Sequence, residues 1–214
     1  MASDGFFQKI VTSEAALREA LGYPSERAVG KQRPSLDAHC RAFIARSPFL
    51  VLGTSNAAGE CDVSPKGDPP GFVHVLDDTH LIIPDRPGNR RLDGLRNILE
   101  NPHVAMIFFI PGRGDTLRIN GRAWIVEDEE RLEPLAVKGT RPRFGIGVEV
   151  EEVFLHCPKA FVRSSLWDAD RAEGATLPSM ACMLWDQLPV KPKGFASAEE
   201  YERDQAQRLK KELY

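Results

Sequence analysis

Between Phe49 and His156 the chain is a train of short apolar or alternating runs divided by turn residues, and this pattern limits the fold most. Phe49-Leu50-Val51-Leu52-Gly53-Thr54-Ser55 reads as a buried strand, and Asn56-Ala57-Ala58-Gly59-Glu60 as the hairpin turn after it. Cys61-Asp62-Val63-Ser64 returns as a second strand, interrupted at Pro65-Lys66-Gly67-Asp68-Pro69-Pro70-Gly71. Phe72 to Leu76 and His80 to Pro84 form another hairpin around Asp77-Asp78. His103 to Ile110 is strongly apolar, and Thr116 to Val126 alternates, with a bulge or bend expected at Gly121. Gly145 to His156 alternates apolar and acidic residues, so it is expected to be half exposed or at a sheet edge.

Helical signals lie at the periphery. Thr12 to Gly22 starts with cap residues and ends on glycine. Ser35 to Arg46 places Leu36, Cys40, Phe43 and Ile44 on one face. Leu92 to Asn101 is expected to turn Leu92, Leu95, Ile98 and Leu99 inward before Pro102 stops it. Short helices are also expected at Glu129 to Ala136 and Lys159 to Arg163, and a charged one follows Ser197. Six or seven short strands with hairpin links make a mainly β chain (β+α): an antiparallel β-barrel with peripheral helices. The expected organisation is one domain over 1–214, with N-terminal helices at 1–46, a barrel core at 47–168 and a helical extension at 169–214.

Composition removes several classes of function. The net charge of −3 argues against wholesale nucleic-acid binding. No apolar run approaches the roughly 20 residues of a membrane-spanning helix. The stretch Met1 to Phe7 lacks the pattern of a signal peptide, which points to the cytoplasm. Cys40, Cys61, Cys157 and Cys182 show no paired spacing and the histidines are dispersed, so no metal site is expected.

The stretch with the most chemistry is Ile82-Ile83-Pro84-Asp85-Arg86-Pro87-Gly88-Asn89-Arg90-Arg91-Leu92. It joins a strand to a helix start and sets three arginines and an asparagine within six residues. Unpaired backbone N–H groups, the positive end of a helix dipole and guanidinium forks all favour a phosphate. A basic surface turn with solvated arginines is the equally simple alternative.

Together, Asp62-Val63-Ser64-Pro65-Lys66-Gly67, the basic turn, Asn101-Pro102-His103-Val104-Ala105 and His156-Cys157-Pro158-Lys159 to Trp167 resemble the pyridoxamine 5′-phosphate oxidase superfamily. The likeness spans about residues 45 to 168 and is to its flavin-nucleotide-binding branch rather than the true oxidases. It implies a split β-barrel homodimer with FMN in two equivalent clefts between subunits. Under the resemblance Asn89 takes the place of a serine, and Arg90 and Arg91 grip the FMN phosphate, with Arg86 in support. Lys66 would meet the phosphate or the flavin ring edge. Val63 and Ser64 would offer backbone groups, with Gly67 allowing close approach of the ring. Arg163, Ser164 and Trp167 would close the cleft from the partner subunit, Trp167 being either a stacking wall or a packing residue, and Lys159, like Lys66, would be either a cofactor-binding or a solvated lysine. The arginine-rich C-terminal segment of the true oxidases has no counterpart here, which argues against a vitamin B6 phosphate as substrate. The implied function is FMN-dependent oxidoreduction of a small molecule, with a small-molecule electron donor. The alternatives are a flavin carrier or flavin-responsive module, or a split barrel binding haem or a deazaflavin.

Overall fold

A computed structural model describes residues 6–168, 170, 177–211 and 213–214. Met1 to Gly5 of the N-terminal stretch, and parts of the 169–214 extension, lie outside the described residues.

Helices α1 (Glu14–Leu21), α2 (Glu26–Gly30) and α3 (Ala38–Ile44) come first, capped by Ser13, Ser25 and Asp37. The strands are β1 (Phe49–Ser55), β2 (Cys61–Gly67), β3 (His74–Val75), β4 (His80–Pro84), β5 (His103–Phe109), β6 (Thr116–Val126) and β7 (Gly145–His156). Helix α4 (Asp93–Glu100) separates β4 from β5, and α5 (Glu129–Leu132) with a 3-10 turn at Glu133–Leu135 separates β6 from β7. Helices α6 (Lys159–Ser164), α7 (Met180–Gln187) and α8 (Ala198–Lys211) complete the order. Helices α2 and α7 carry no strong sequence signal and were not expected.

The strands make one antiparallel seven-stranded sheet in the order β2-β1-β5-β6-β7-β4-β3. Its concave side holds the core: Leu50, Leu52, Leu81, Ile83, Met106, Phe108, Leu117, Ile119, Ile146 and Val148 are all buried. Leu36, Cys40, Phe43 and Ile44 of the α3 segment pack into the same core, as their spacing requires. The sheet is mixed with helices, the β+α class expected for a split barrel.

Four local expectations are corrected. Pro65 does not interrupt β2, since it pairs with Val51 and the strand runs on to Gly67. As β2 is the outermost strand, the missing N–H of Pro65 is tolerated there. The Phe72 to Leu76 run pairs only at His74–Val75. Strand β7 lies between β6 and β4, so its acidic residues mark a solvent-facing side and not an edge. The bulge falls at Asn120/Gly121, where an added Cβ would overlap the Glu149 carbonyl oxygen, so only glycine fits.

The fourth correction concerns α4. Ile98 is buried and Leu95 partly so, but Leu92 and Leu99 are exposed. The inward face is instead Gly94, Asn97, Ile98 and Asn101, spaced at three and four residues. Asn97 donates to Thr54 Oγ1 at 3.0 Å and Asn101 to Ser55 Oγ at 2.9 Å. Gly94 sits so close to Asp62, Thr54 and Ser64 that a Cβ there would touch all three side chains. Polar anchoring to β1, rather than leucine spacing, sets how α4 is rotated.

Candidate functional site

Residues directly opposite in an antiparallel pair share a face. Leu50, Leu52 and Thr54 of β1 face inward, so their partners Lys66, Ser64 and Asp62 of β2 do too. Those three are only half-buried because β2 is an edge and the barrel is open beside it. Val63 points the other way and is well exposed.

Two ion pairs cross from the β2 end of the sheet to the β4 end. Lys66 Nζ lies 3.7 Å from Asp85. Arg86 donates through Nε to Asp68 at 2.6 Å and through Nη2 to the Leu135 carbonyl at 2.8 Å. The Asp68 side chain is 2% exposed. A buried carboxylate must be paired, and the arginine fork supplies the pairing. Arg86 is therefore a structural clasp. Its partner Asp68 read in the sequence only as part of an interrupting loop.

Beyond the clasp the turn is strained. Arg90 (φ 60°) and Leu92 (φ 61°) are both left-handed without being glycine. Each such residue costs about 1 kcal/mol or more, and such strain gathers at functional sites. Asn89 holds the turn by accepting the Arg91 N–H at 3.0 Å. Arg91 donates to Asp93 at 2.7 Å and is 73% exposed, so this is a weak surface pair. Arg90 is exposed and makes no hydrogen bond or ion pair among the described residues. The N-terminus of α4 has no side-chain cap. Arg91 also borders a cleft of about 280 Å³, lined by Asn56, Glu60, Asp62, Asp93, Arg96 and Glu100 among others. That lining is largely acidic and repels an anion.

The remaining candidates lie elsewhere. Lys159, Arg163 and Ser164 are on α6, and Trp167 follows it. Phe161 of α6 packs on Phe109 (5.9 Å), which meets Phe49 (5.9 Å), and Trp167 stacks on Phe161 at 5.6 Å and 20°. Trp167 Nε1 donates to the Arg113 carbonyl at 2.9 Å, so within the chain it is a packing residue at the surface. Phe49 and Phe109 belong to the convex face. The Phe49 ring also fills the space beside Gly67, 3.2 Å from where a Cβ would be, so that glycine faces a side chain rather than an open cleft. The structure thus brings together Ser64, Lys66, Arg86 and the Asn89–Arg91 turn. It leaves Val63, Lys159, Arg163, Ser164 and Trp167 on the opposite side of the sheet.

Tyr214 was missed altogether, there being no sequence signal for it. It lies beyond α8, and its hydroxyl donates to Asp68 Oδ1 at 2.6 Å. The Asp68 carboxylate raises the Tyr214 pKa above its ordinary value, so the phenol keeps its proton. No group of three metal-ligating side chains occurs among the described residues, and no helix among them is long and apolar enough to cross a membrane.

Among solved structures the chain is similar to HupZ from Group A Streptococcus, at 20% identity over 56% of this chain and 93% of that one, with a TM-score of 0.46. An FMN-binding protein from Syntrophomonas wolfei subsp. wolfei aligns at 12% identity over 55% and 83% of the two chains, with a TM-score of 0.43. A protein of Clostridium acetobutylicum related to general stress protein 26, of the pyridoxinephosphate oxidase family, aligns at 13% identity over 55% and 85%, with a TM-score of 0.40. No curated protein matches the sequence. The pyridoxamine 5′-phosphate oxidase family model matches residues 36–157, which span α3 through β7 and hold the whole sheet, both clasp pairs and the strained turn. The chain belongs to the pyridoxamine 5′-phosphate oxidase family.

Proposed function

We propose that this chain binds FMN at the Asp85–Leu92 turn and works as an FMN-dependent oxidoreductase on a small molecule. The observation that carries this is the strained turn, where two left-handed non-glycine residues flank Arg91 at an uncapped helix start, with Arg90 left without a counter-ion among the described residues. A dianionic phosphate fits that donor set. Arg90 is its principal holder, Arg91 joins by exchanging its exposed pair with Asp93, and Asn89 shapes the turn. Arg86 holds the turn in place from Asp68.

Lys66 lies on the inner face beside the same split, so it faces the ring end of the cofactor, and the backbone of Val63 and Ser64 borders it. When bound, FMN supplies hydride and electron transfer, while this chain supplies position and charge. The Lys66 ammonium, shared with Asp85, compensates negative charge on the ring edge.

The α6 candidates support a homodimer. In one chain they lie across the sheet from Ser64 and Lys66, so they share a cleft with them only if a second copy brings them there. The convex face of β2 and β1 supports this too, because Val63 and Phe49 stand exposed on it.

The test is the visible spectrum of purified protein saturated with FMN and then desalted, followed by anaerobic reduction with NADH and with NADPH. Retained flavin bands and turnover with an added oxidant uphold the reading. A protein that retains flavin but shows no turnover is a carrier, and one that retains none has a different ligand.

A further inference from the structure

The strongest built site outside the flavin reading is the slot around Tyr214. Its hydroxyl donates to Asp68 Oδ1, while Arg86 holds the other oxygen, Oδ2. The Arg86 guanidinium carbon is 5.6 Å from the Tyr214 ring centroid and Lys138 Nζ is 5.2 Å from it. Two cations against one ring, plus a carboxylate for its hydroxyl, make a receptor for an electron-rich phenol.

The walls do not depend on Tyr214. Arg86 is fixed by Asp68 and by the Leu135 carbonyl. Lys138 sits in a two-residue turn with Gly139, both left-handed, closed by Val137 and Thr140 hydrogen bonds of 3.0 and 2.9 Å. If Tyr214 withdraws, Asp68 Oδ1 keeps its lone pairs and Arg86 stays held by Asp68 and the Leu135 carbonyl.

We propose that this slot is a phenol-binding subsite, filled in cis by Tyr214 and open to the hydroxyphenyl group of a small molecule when the Tyr214 side chain leaves. Asp68 and Arg86 adjoin Lys66 and Asp85 in the chain, so the subsite lies next to the ring end of the proposed cofactor site. Its role as the place for a phenolic substrate rests on the flavin reading. Its capacity to bind phenols does not.

The experiment titrates p-cresol, the tyrosine side chain itself, into wild-type and Tyr214→Ala protein, following ligand NMR shifts. Folding of the variant is checked by circular dichroism, and Tyr214 lies outside the core. Tyr214→Ala is expected to bind with a dissociation constant on the order of 1 mM, as befits a ligand of this size. Wild type should bind at least about 10-fold more weakly, because its own ring competes at high effective concentration. Toluene should bind Tyr214→Ala at least about 10-fold more weakly than p-cresol, for want of the hydroxyl. Adding Lys138→Ala, an exposed position, should weaken p-cresol several-fold. Equal binding to wild type and Tyr214→Ala, equal binding of toluene and p-cresol, or no saturable binding to a folded Tyr214→Ala overturns the subsite. Flavin retention is read separately from absorbance, so failure of the flavin reading and failure of the slot are distinguishable.

Discussion

Arg86 and Asp68, on opposite sides of the barrel's split, are joined by a 2.6 Å charge-assisted hydrogen bond whose carboxylate is almost wholly buried. Removing the arginine takes away the counter-ion and leaves the Tyr214 hydroxyl as a neutral donor. Arg86→Ala should lower stability by about 3 kcal/mol, measured as a shift of the urea midpoint at pH 7, the range for breaking one partner of a buried pair. Arg86→Lys, which keeps the charge but loses the fork, should lose clearly less. An unchanged midpoint for Arg86→Ala would show that the clasp contributes nothing.

The two arginines of the turn are unequal, and their variants should be too. Among the described residues Arg90 has no ion pair, whereas Arg91 must leave Asp93 to reach a phosphate. Arg90→Ala should weaken FMN by about 10- to 100-fold, the range for losing a hydrogen bond to a charged group. Arg91→Ala should cost less, and the double variant should release FMN while remaining folded. Wild-type affinity in a folded double variant, measured by flavin fluorescence, sinks the assignment.

Val63 offers a separate test of the dimer. Val63 is 66% exposed, so Val63→Glu should leave the chain folded. If the convex face of β2 is the contact between copies, the variant should run as a monomer by light scattering at micromolar concentration and lose flavin with it. A dimeric variant that keeps flavin excludes that face.

At the β3–β4 turn, Asp77 accepts the backbone N–H groups of Thr79 (2.7 Å) and His80 (2.8 Å) and meets the His80 ring at 3.0 Å. The Thr79 amide, then the His80 side chain, hold its carboxyl down at about 2. A lowered carboxylate pKa stabilises the fold above the unfolded value near 4, and that contribution is lost as pH falls towards about 2. Stability measured from pH 5 to 2 should therefore fall less steeply in Asp77→Asn than in wild type. Equal slopes would show that the turn does not couple to folding.

The strand train was legible because burial on one face of a sheet imposes an alternation that survives without knowledge of neighbours. Phe49–Ser55 and Gly145–His156 form as read, and so does the glycine bulge in β6. Pro65 misled because its effect depends on whether the strand has a neighbour on that side, which is a property of sheet order. Leu92 and Leu99 misled because Asn97 and Asn101 found hydroxyl partners on β1, more than forty residues away in sequence.

At the candidate site the division is sharper. The residues of the basic turn, their place between a strand and a helix, and the family likeness were all present in the linear order, since they depend on neighbours within a few positions. The separation of roles within the turn was not. Arg86 became a clasp, Arg91 a surface pair and Arg90 a cation unpaired among the described residues only when folding set Asp68, Asp93 and the backbone around them. The arginines alone specify affinity for an anion. Only the tertiary structure decides which guanidinium is left to meet it, because a charge is available only when no nearer counter-charge has been folded against it.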